Sequence, residues 1–260
     1  MPELPEVEYA SRVLRKAVVG KAVRDVRVLH RAQRRGLPPR HVARLRGATI
    51  AGVARRGKHQ LIELSTGETL IVHFRMTGDW NVATRTDPVP EYARVVLELD
   101  DGTRVSLVDP RALSTVSLAA AGSASLPRLG PDAADPSVDV TAFGEALARR
   151  RVPIKVALLD QRVLAGVGNI YSAEALWLAR IDPRAAASSL TRSRQVRLLD
   201  AVRVALNRAA RSSGRYRDTG AGRFEVYDRE GLPCSRCGTP IGRIIQAGRS
   251  TYFCPRCQRR

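Results

Sequence analysis

All four cysteines of the 260-residue chain fall within its last 27 residues, as Cys234-x2-Cys237, sixteen intervening residues, then Cys254-x2-Cys257. No other feature restricts the fold as sharply. A segment this short cannot build a core of its own and needs a staple. Two Cys-x2-Cys pairs at this separation fit the knuckles of a zinc ribbon, in which a hairpin supplies four tetrahedral thiolates. Free or redox-active thiols would call for an open ligand position or a catalytic partner, and neither is apparent. We therefore expect one structural zinc ion, held by Cys234, Cys237, Cys254 and Cys257. The loop Gln246-Ala247-Gly248-Arg249-Ser250 between the knuckles is then rigid enough to present Arg249 to a phosphate.

Charge points the same way. The chain carries 44 basic against 25 acidic side chains, a formal net charge of +19. That exceeds what solubility needs and suggests a polyanionic partner, bound with steep salt dependence through counterion release. Only Lys16, Lys21, Lys58 and Lys155 are lysines, so the excess is arginine, whose planar fork pairs with phosphate. GC-rich codon usage gives the same bias. The start, MPELPEVE, lacks a basic region followed by an apolar one, and no apolar run approaches the roughly 20 residues that span a bilayer. The expectation is a cytoplasmic monomer with no membrane contact.

Apolar residues from Val7 to Val18 recur at helical spacing, with Pro5 suited to a first turn, so an amphipathic helix carries the N-terminus. Residues 22 to 118 change to short β-type runs. Asp101-Gly102 between ARVVLELD and TRVSLVD, and Thr66-Gly67 between LIELS and ETLIVHF, are hairpin signals. An antiparallel sandwich or barrel follows. Residues 119–140, rich in Ala, Ser, Pro, Gly and Asp, read as a linker. TAFGEALARR, KVALLDQ, NIYSAEALWLAR and the run from Ser193 to Ser213 each carry a helical stripe. The fold class expected is α+β and multidomain. An N-terminal helix and antiparallel β-sandwich (1–118) and the linker lead to a helical domain (141–226) and a four-cysteine zinc finger (227–260).

Two local features carry chemistry less securely. In LeuAlaGlyValGlyAsnIleTyr at 164–171, a glycine turn runs into a helix. Its exposed N–H groups could bind phosphate, or Gly166 and Gly168 simply permit a tight turn with Asn169 as N-cap. At the N-terminus, Pro2-Glu3-Leu4-Pro5-Glu6 reads most simply as a helix start with acids favoured by the dipole. Excision of Met1 would, however, expose a secondary amine able to form an iminium with a sugar aldehyde. An α-amino group with pKa near ~8 is better poised for that than a lysine at ~10.4. Glu3 beside it could shuttle protons.

MPELPEVE, Gly57-Lys58 before a hairpin, HFRMTG at 73–78, DPR at 109–111, LLDQ with LAGVGNIYSAEALW, and the terminal CSRCG and GRSTYFCPRC resemble, in order, the formamidopyrimidine-DNA glycosylase and endonuclease VIII family. The match spans nearly the whole chain. It implies a helix-two-turn-helix for the helical domain and a bifunctional DNA glycosylase and abasic-site lyase acting on damaged double-stranded DNA in a bacterial, nucleoid-associated setting. Pro2 would attack C1′, Glu3 would assist base departure and sugar opening, and β- and δ-elimination would follow. Glu6 would support the site, and Lys58 would contact phosphate beside the lesion and aid catalysis. Asn169 and Arg249 match phosphate contacts, and His73 and Lys155 fit further ones. Met76, Arg111 and Leu113 match the trio that fills the gap left by a flipped nucleotide.

Three departures stand out. DPRALS puts Leu113 where the family typically has Phe, and Arg75 stands where Gly is common. The segment 214–227 is shorter than the loop that 8-oxoguanine-specific members fold over a flipped purine. That length favours oxidised pyrimidines, ring-opened purines or bare abasic sites over intact 8-oxoguanine. The competing readings are a non-catalytic zinc-ribbon DNA-binding protein, a damage-binding or lyase-only relative, and, on charge alone, an RNA-binding protein.

Overall fold

The computed structural model describes residues 2–122, 126–211 and 224–259. Contacts divide the chain into two compact units, residues 1–2 with 7–127 and residues 3–6 with 128–260.

In the first unit, helix α1 (Leu4–Val18) buries Val7, Ala10, Leu14 and Val18 along one stripe. The strands are β1 (Val23–Val28), β2 (Ile50–Arg56), β3 (His59–Leu64), β4 (Thr69–His73), β5 (Asp79–Thr84), β6 (Ala93–Leu99), β7 (Thr103–Val108) and β8 (Thr115–Ala119). They form two antiparallel four-stranded sheets, ordered β1-β6-β7-β5 and β2-β3-β4-β8. Both expected hairpins are present: β3 pairs with β4 across Gly67, and β6 with β7 across Gly102, each glycine at positive φ. Alternate residues such as Ile62, Val72, Leu97 and Leu107 join the α1 stripe in one core. Two short helices were not foreseen among these strands. α2 (Arg31–Arg34) is capped by the His30 ring accepting from the Ala32 N–H, and α3 (Pro39–Leu45) begins on a proline already set to a helical φ.

The second unit packs α4 (Val140–Ala148), α5 (Ile154–Leu159), α6 (Asn169–Leu178) and α7 (Arg192–Arg211) around Phe143, Leu147, Leu158, Leu176, Leu198 and Val202. Helix α6 is buried at every position from Ile170 to Trp177. The finger hairpin is β9 (Gly242–Gln246) paired with β10 (Arg249–Phe253). Part of the expected linker is structural: Ala133 and Val138 are buried in the helical core, and the Ala133 N–H bonds the Ala165 carbonyl at 2.9 Å. Low periodicity there reflects an irregular backbone, not a free one. No described helix is long and apolar enough to cross a membrane.

Candidate active site

Pro2 is half-buried and immediately precedes α1. Glu3 is only 1% exposed, and its two carboxylate oxygens accept the N–H groups of Ile170 (2.8 Å) and Tyr171 (3.2 Å). The N-cap of α6 is Gly168, which has no side chain to offer, so Glu3 caps that helix from 165 positions away in sequence. The arrangement suits an ionised carboxylate, set where the helix dipole is positive. Glu6 accepts from the Glu3 N–H (3.0 Å) and from the Tyr171 hydroxyl (2.5 Å). Sequence reasoning missed Tyr171.

The glycine turn now has a definite cause. A Cβ on Gly168 would lie 2.3 Å from Glu3 Cδ, and one on Gly166 (φ +104) would lie 2.4 Å from Leu4 Cδ1. These glycines admit residues 3 and 4, and the N–H groups of Ile170 and Tyr171 serve Glu3 instead of an external phosphate. Asn169 is the first helical residue, not the cap.

Lys155 departs from its expected role. It is fully buried, and Nζ donates to Asn169 Oδ1 (2.6 Å), Thr251 Oγ1 (2.7 Å) and the Ser250 carbonyl (3.2 Å). Three donors with three protein partners leave none for a phosphate. Burial, reinforced by the Arg249 charge and opposed by Glu3, lowers its pKa to about 8. Lys155 is thus a positioning residue that ties Asn169 to the finger hairpin, helped by Asn169 Nδ2 donating to the Ser250 carbonyl at 3.1 Å. Arg249 is exposed just after the Ala247-Gly248 turn, where both residues have positive φ.

In the first unit, Lys58 is only 6% exposed, unlike an ordinary lysine in a surface turn. It follows Gly57 (φ +58) in the β2–β3 turn. Arg55 holds that turn: Nη1 donates to the Gly57 carbonyl (2.9 Å) while Nε bonds Glu8 of α1 (2.8 Å). His73 and His59 face each other across β3 and β4 with ring centroids 4.7 Å apart. Burial, then the neighbouring His59, Arg75 and Lys58, push the His73 pKa down to about 3. His73 is therefore neutral near pH 7. Its Nδ1 accepts the Arg75 N–H at 3.0 Å, which leaves Nε2–H as the donor it can offer.

Arg75 takes a left-handed backbone (φ 56) just before half-buried Met76. Arg111 and Leu113 are exposed on a second loop. Asp109 joins the two loops, accepting from Thr77 Oγ1 and from the N–H groups of Arg111 (3.2 Å) and Ser114 (2.6 Å). Burial pushes the Asp109 carboxyl upward, but these hydrogen bonds outweigh it and hold the pKa below the usual range. Asp109 lay inside the DPR motif without an assigned role.

The four cysteine sulfurs lie within 4.8 Å of one another, with Cys234–Cys257 at 4.0 Å and Cys237–Cys254 at 3.5 Å. Tetrahedral zinc with Zn–S near 2.3 Å implies sulfur separations of about 3.8 Å. The donor set thus fits one structural zinc ion with no open position. The segment 214–227 begins outside the described residues, so its expected bearing on lesion choice has no structural counterpart.

Three family descriptions match this architecture: Formamidopyrimidine-DNA glycosylase N-terminal domain over residues 1–116, Formamidopyrimidine-DNA glycosylase H2TH domain over 129–219, and Zinc finger found in FPG and IleRS over 231–260. Together they define a zinc-finger DNA glycosylase. The formamidopyrimidine-DNA glycosylase of Herpetosiphon aurantiacus is 42% identical, covering 99% of this chain and 100% of that one. That of Ligilactobacillus salivarius is 38% identical, covering 99% of each. Among solved structures, the Lactococcus lactis formamidopyrimidine-DNA glycosylase bound non-covalently to abasic-site DNA matches with a TM-score of 0.92 at 34% identity, over 99% of this chain and 100% of that one. MutM in complex with carbocyclic 8-oxo-G DNA matches with a TM-score of 0.90 at 34% identity, over the full length of both. The chain belongs to the formamidopyrimidine-DNA glycosylase family, enzymes that excise damaged bases and cleave the abasic site.

Proposed function

We propose that this chain, once Met1 is removed, excises damaged bases from duplex DNA with Pro2 as nucleophile and cleaves the abasic site through the resulting iminium. The observation that carries the reading is the placement of Glu3. Directly after Pro2, a buried carboxylate is fixed through both oxygens by the first amides of α6. Such a group can stabilise cationic character at C1′ and relay a proton without moving.

The Pro2 nitrogen bonds C1′ and gives up its N–H proton as the glycosidic bond breaks, and the base departs with the bonding pair and takes up a proton. The sugar C1′–O4′ bond then opens, O4′ is protonated, and Pro2 is left as an iminium. Loss of the acidified C2′ proton expels the 3′ phosphate, and a second elimination expels the 5′ phosphate. Water releases the unsaturated aldehyde and restores the amine.

Glu6 orders the site through the Glu3 N–H and Tyr171. Lys58 is the proposed phosphate contact beside the lesion. Neutral His73, together with Asn169 and Arg249, would bind the backbone, and Lys155 would hold Asn169 and the hairpin in place. Met76, Arg111 and Leu113 would fill the gap left by the flipped nucleotide, with Leu113 stacking more weakly than a phenylalanine. The solved relatives hold abasic-site, 8-oxo-G and Fapy-dG DNA. The substrates proposed here are duplexes bearing a ring-opened purine or an abasic site. The test is a panel of duplexes, each carrying one oxidised purine, one oxidised pyrimidine or one abasic site. Cleavage that leaves phosphates on both ends of the gap supports the proposal. Binding without cleavage of any duplex overturns it.

A further inference from the structure

Away from the hairpin tip, the second unit has a cleft of about 990 Å³ lined by Arg180, Arg194, Arg197, Arg236, Arg256 and Arg259, with Leu178 and the zinc-site residues Cys237 and Cys257. Among the described residues, none of those lining it is acidic. Three of the arginines are fixed by backbone carbonyls. Arg236 donates to Trp177 O (2.6 Å) and stacks 3.6 Å from its ring centroid, Arg197 donates to Ala179 O (2.8 Å), and Arg194 donates to Arg259 O (2.7 Å). Arg197 and Arg236 have a structural explanation, since they satisfy the last carbonyls of α6 and complement its dipole.

Arg180, Arg256 and Arg259 have no such explanation. All three are exposed, and among the described residues none has a carboxylate partner within ion-pair distance. Arg180 is the most informative. The Arg180 N–H bonds Trp177 O and the Ile181 N–H bonds Leu176 O, which is the closing pattern of a helix whose next residue adopts a left-handed backbone. Glycine is the residue that fits there. Arginine at φ 56 is strained there. The Arg259 N–H bonds the Arg180 carbonyl at 3.2 Å, which keeps these two arginines adjacent although they lie 79 positions apart in sequence.

We infer that this cleft is a second nucleic-acid site that grips the phosphate backbone of a DNA segment other than the one carrying the lesion. The inference rests on the reading of DNA as substrate. Six guanidinium groups, with no carboxylate among the described lining residues, favour a polyanion, and their planar forks match phosphate. An acidic protein is the poorer occupant. Protein interfaces centre on aromatic and aliphatic anchors, and here the wall offers only Leu178 between arginines, whereas nucleic-acid interfaces are polar and strongly positive. The cleft also lies at the cysteine end of the finger hairpin, whereas Arg249 lies at the turn end, a strand length of about 13 Å from Phe253. Holding two segments at once would let the protein pass between DNA strands without dissociating.

The test uses the zinc-loaded full chain and a triple variant, Arg180→Gln/Arg256→Gln/Arg259→Gln, which leaves the carbonyl-bound arginines in place. A labelled undamaged 12-base-pair duplex is titrated into each protein, alone and already saturated with an unlabelled duplex bearing a tetrahydrofuran abasic analogue. Wild type should bind the labelled duplex in both states. The triple variant should bind it at least tenfold more weakly in the saturated state, with the salt slope reduced by about 3 at roughly 0.9 per phosphate. Cleavage of an abasic duplex at low salt, measured separately, should be unchanged, so a failure of catalysis is read apart from a failure of the cleft. Equal binding by the variant, strictly one duplex per wild-type chain, or stronger variant-sensitive binding of polyglutamate than of the duplex would each overturn the inference.

Discussion

Glu3→Gln separates the structural work of the N-terminal acid from its chemical work. The ionised carboxylate accepts two backbone N–H bonds at the start of α6. A carboxamide of the same shape has one accepting oxygen, so its NH2 must face either the Ile170 or the Tyr171 N–H. One buried amide then loses its partner, at about 1–3 kcal/mol. Loss of the charge at the helix N-terminus adds about 0.3–1 kcal/mol. The variant should therefore be about 1–4 kcal/mol less stable by urea unfolding, yet still folded. Base excision should fall by at least a hundredfold, while cleavage of a preformed abasic site, which needs no departing base, should stay within about tenfold of wild type. A stability change below about 0.5 kcal/mol would refute the capping argument. Equal loss of both activities would refute the assignment of Glu3 to base departure.

Three further outcomes follow from the same geometry. Arg249→Ala, which removes one exposed guanidinium at the hairpin tip, should flatten log K against log salt by about one unit on any duplex sequence; an unchanged slope would place Arg249 away from the backbone. His73, with its folded pKa near 3 against 6.5 in the unfolded chain, should show no NMR titration between pH 5 and 8. Because the folded state resists its protonation, His73 lowers stability as pH falls from about 6.5 toward 3, and His73→Gln should reduce that loss; a midpoint near 6.5 would contradict the buried, neutral assignment. Arg55→Ala, which removes the Arg55 bonds to the Gly57 carbonyl and Glu8, should lower kcat with little change in KM by loosening the turn that carries Lys58. Arg55→Lys should restore only part of it, and an unaltered kcat would leave Arg55 purely structural.

How far the sequence could be read depended on the range of the interactions. The zinc cysteines and both hairpin turns were legible because knuckles and two-residue turns are local, fixed by spacing and by glycine at positive φ. The burial of Lys155 is not legible in the sequence, because its partners are Asn169, 14 positions away, and Ser250 and Thr251, more than 90 away. The turn at Gly166 and Gly168 is visible in the sequence, but its cause, close approach of Leu4 and Glu3, is tertiary. Asp109 carried no separate signal, since its task is to receive hydrogen bonds from two loops that only the fold brings together. The composition of 119–140 concealed Ala133 and Val138, single core residues in an aperiodic stretch.

The central claim is that Pro2 is the nucleophile, and reductive trapping tests it most directly. Purified chain, with Met1 removal confirmed by mass, is incubated with a duplex containing one abasic site in the presence of borohydride, and the covalent product is digested and mapped. Condensation of a secondary amine with the sugar aldehyde gives an iminium that borohydride reduces to a stable tertiary amine. The account predicts one adduct, located on the N-terminal peptide at Pro2, strongly diminished in Pro2→Gly and still present in Lys58→Ala. An adduct on Lys58, or none at all from fully processed protein, would contradict it.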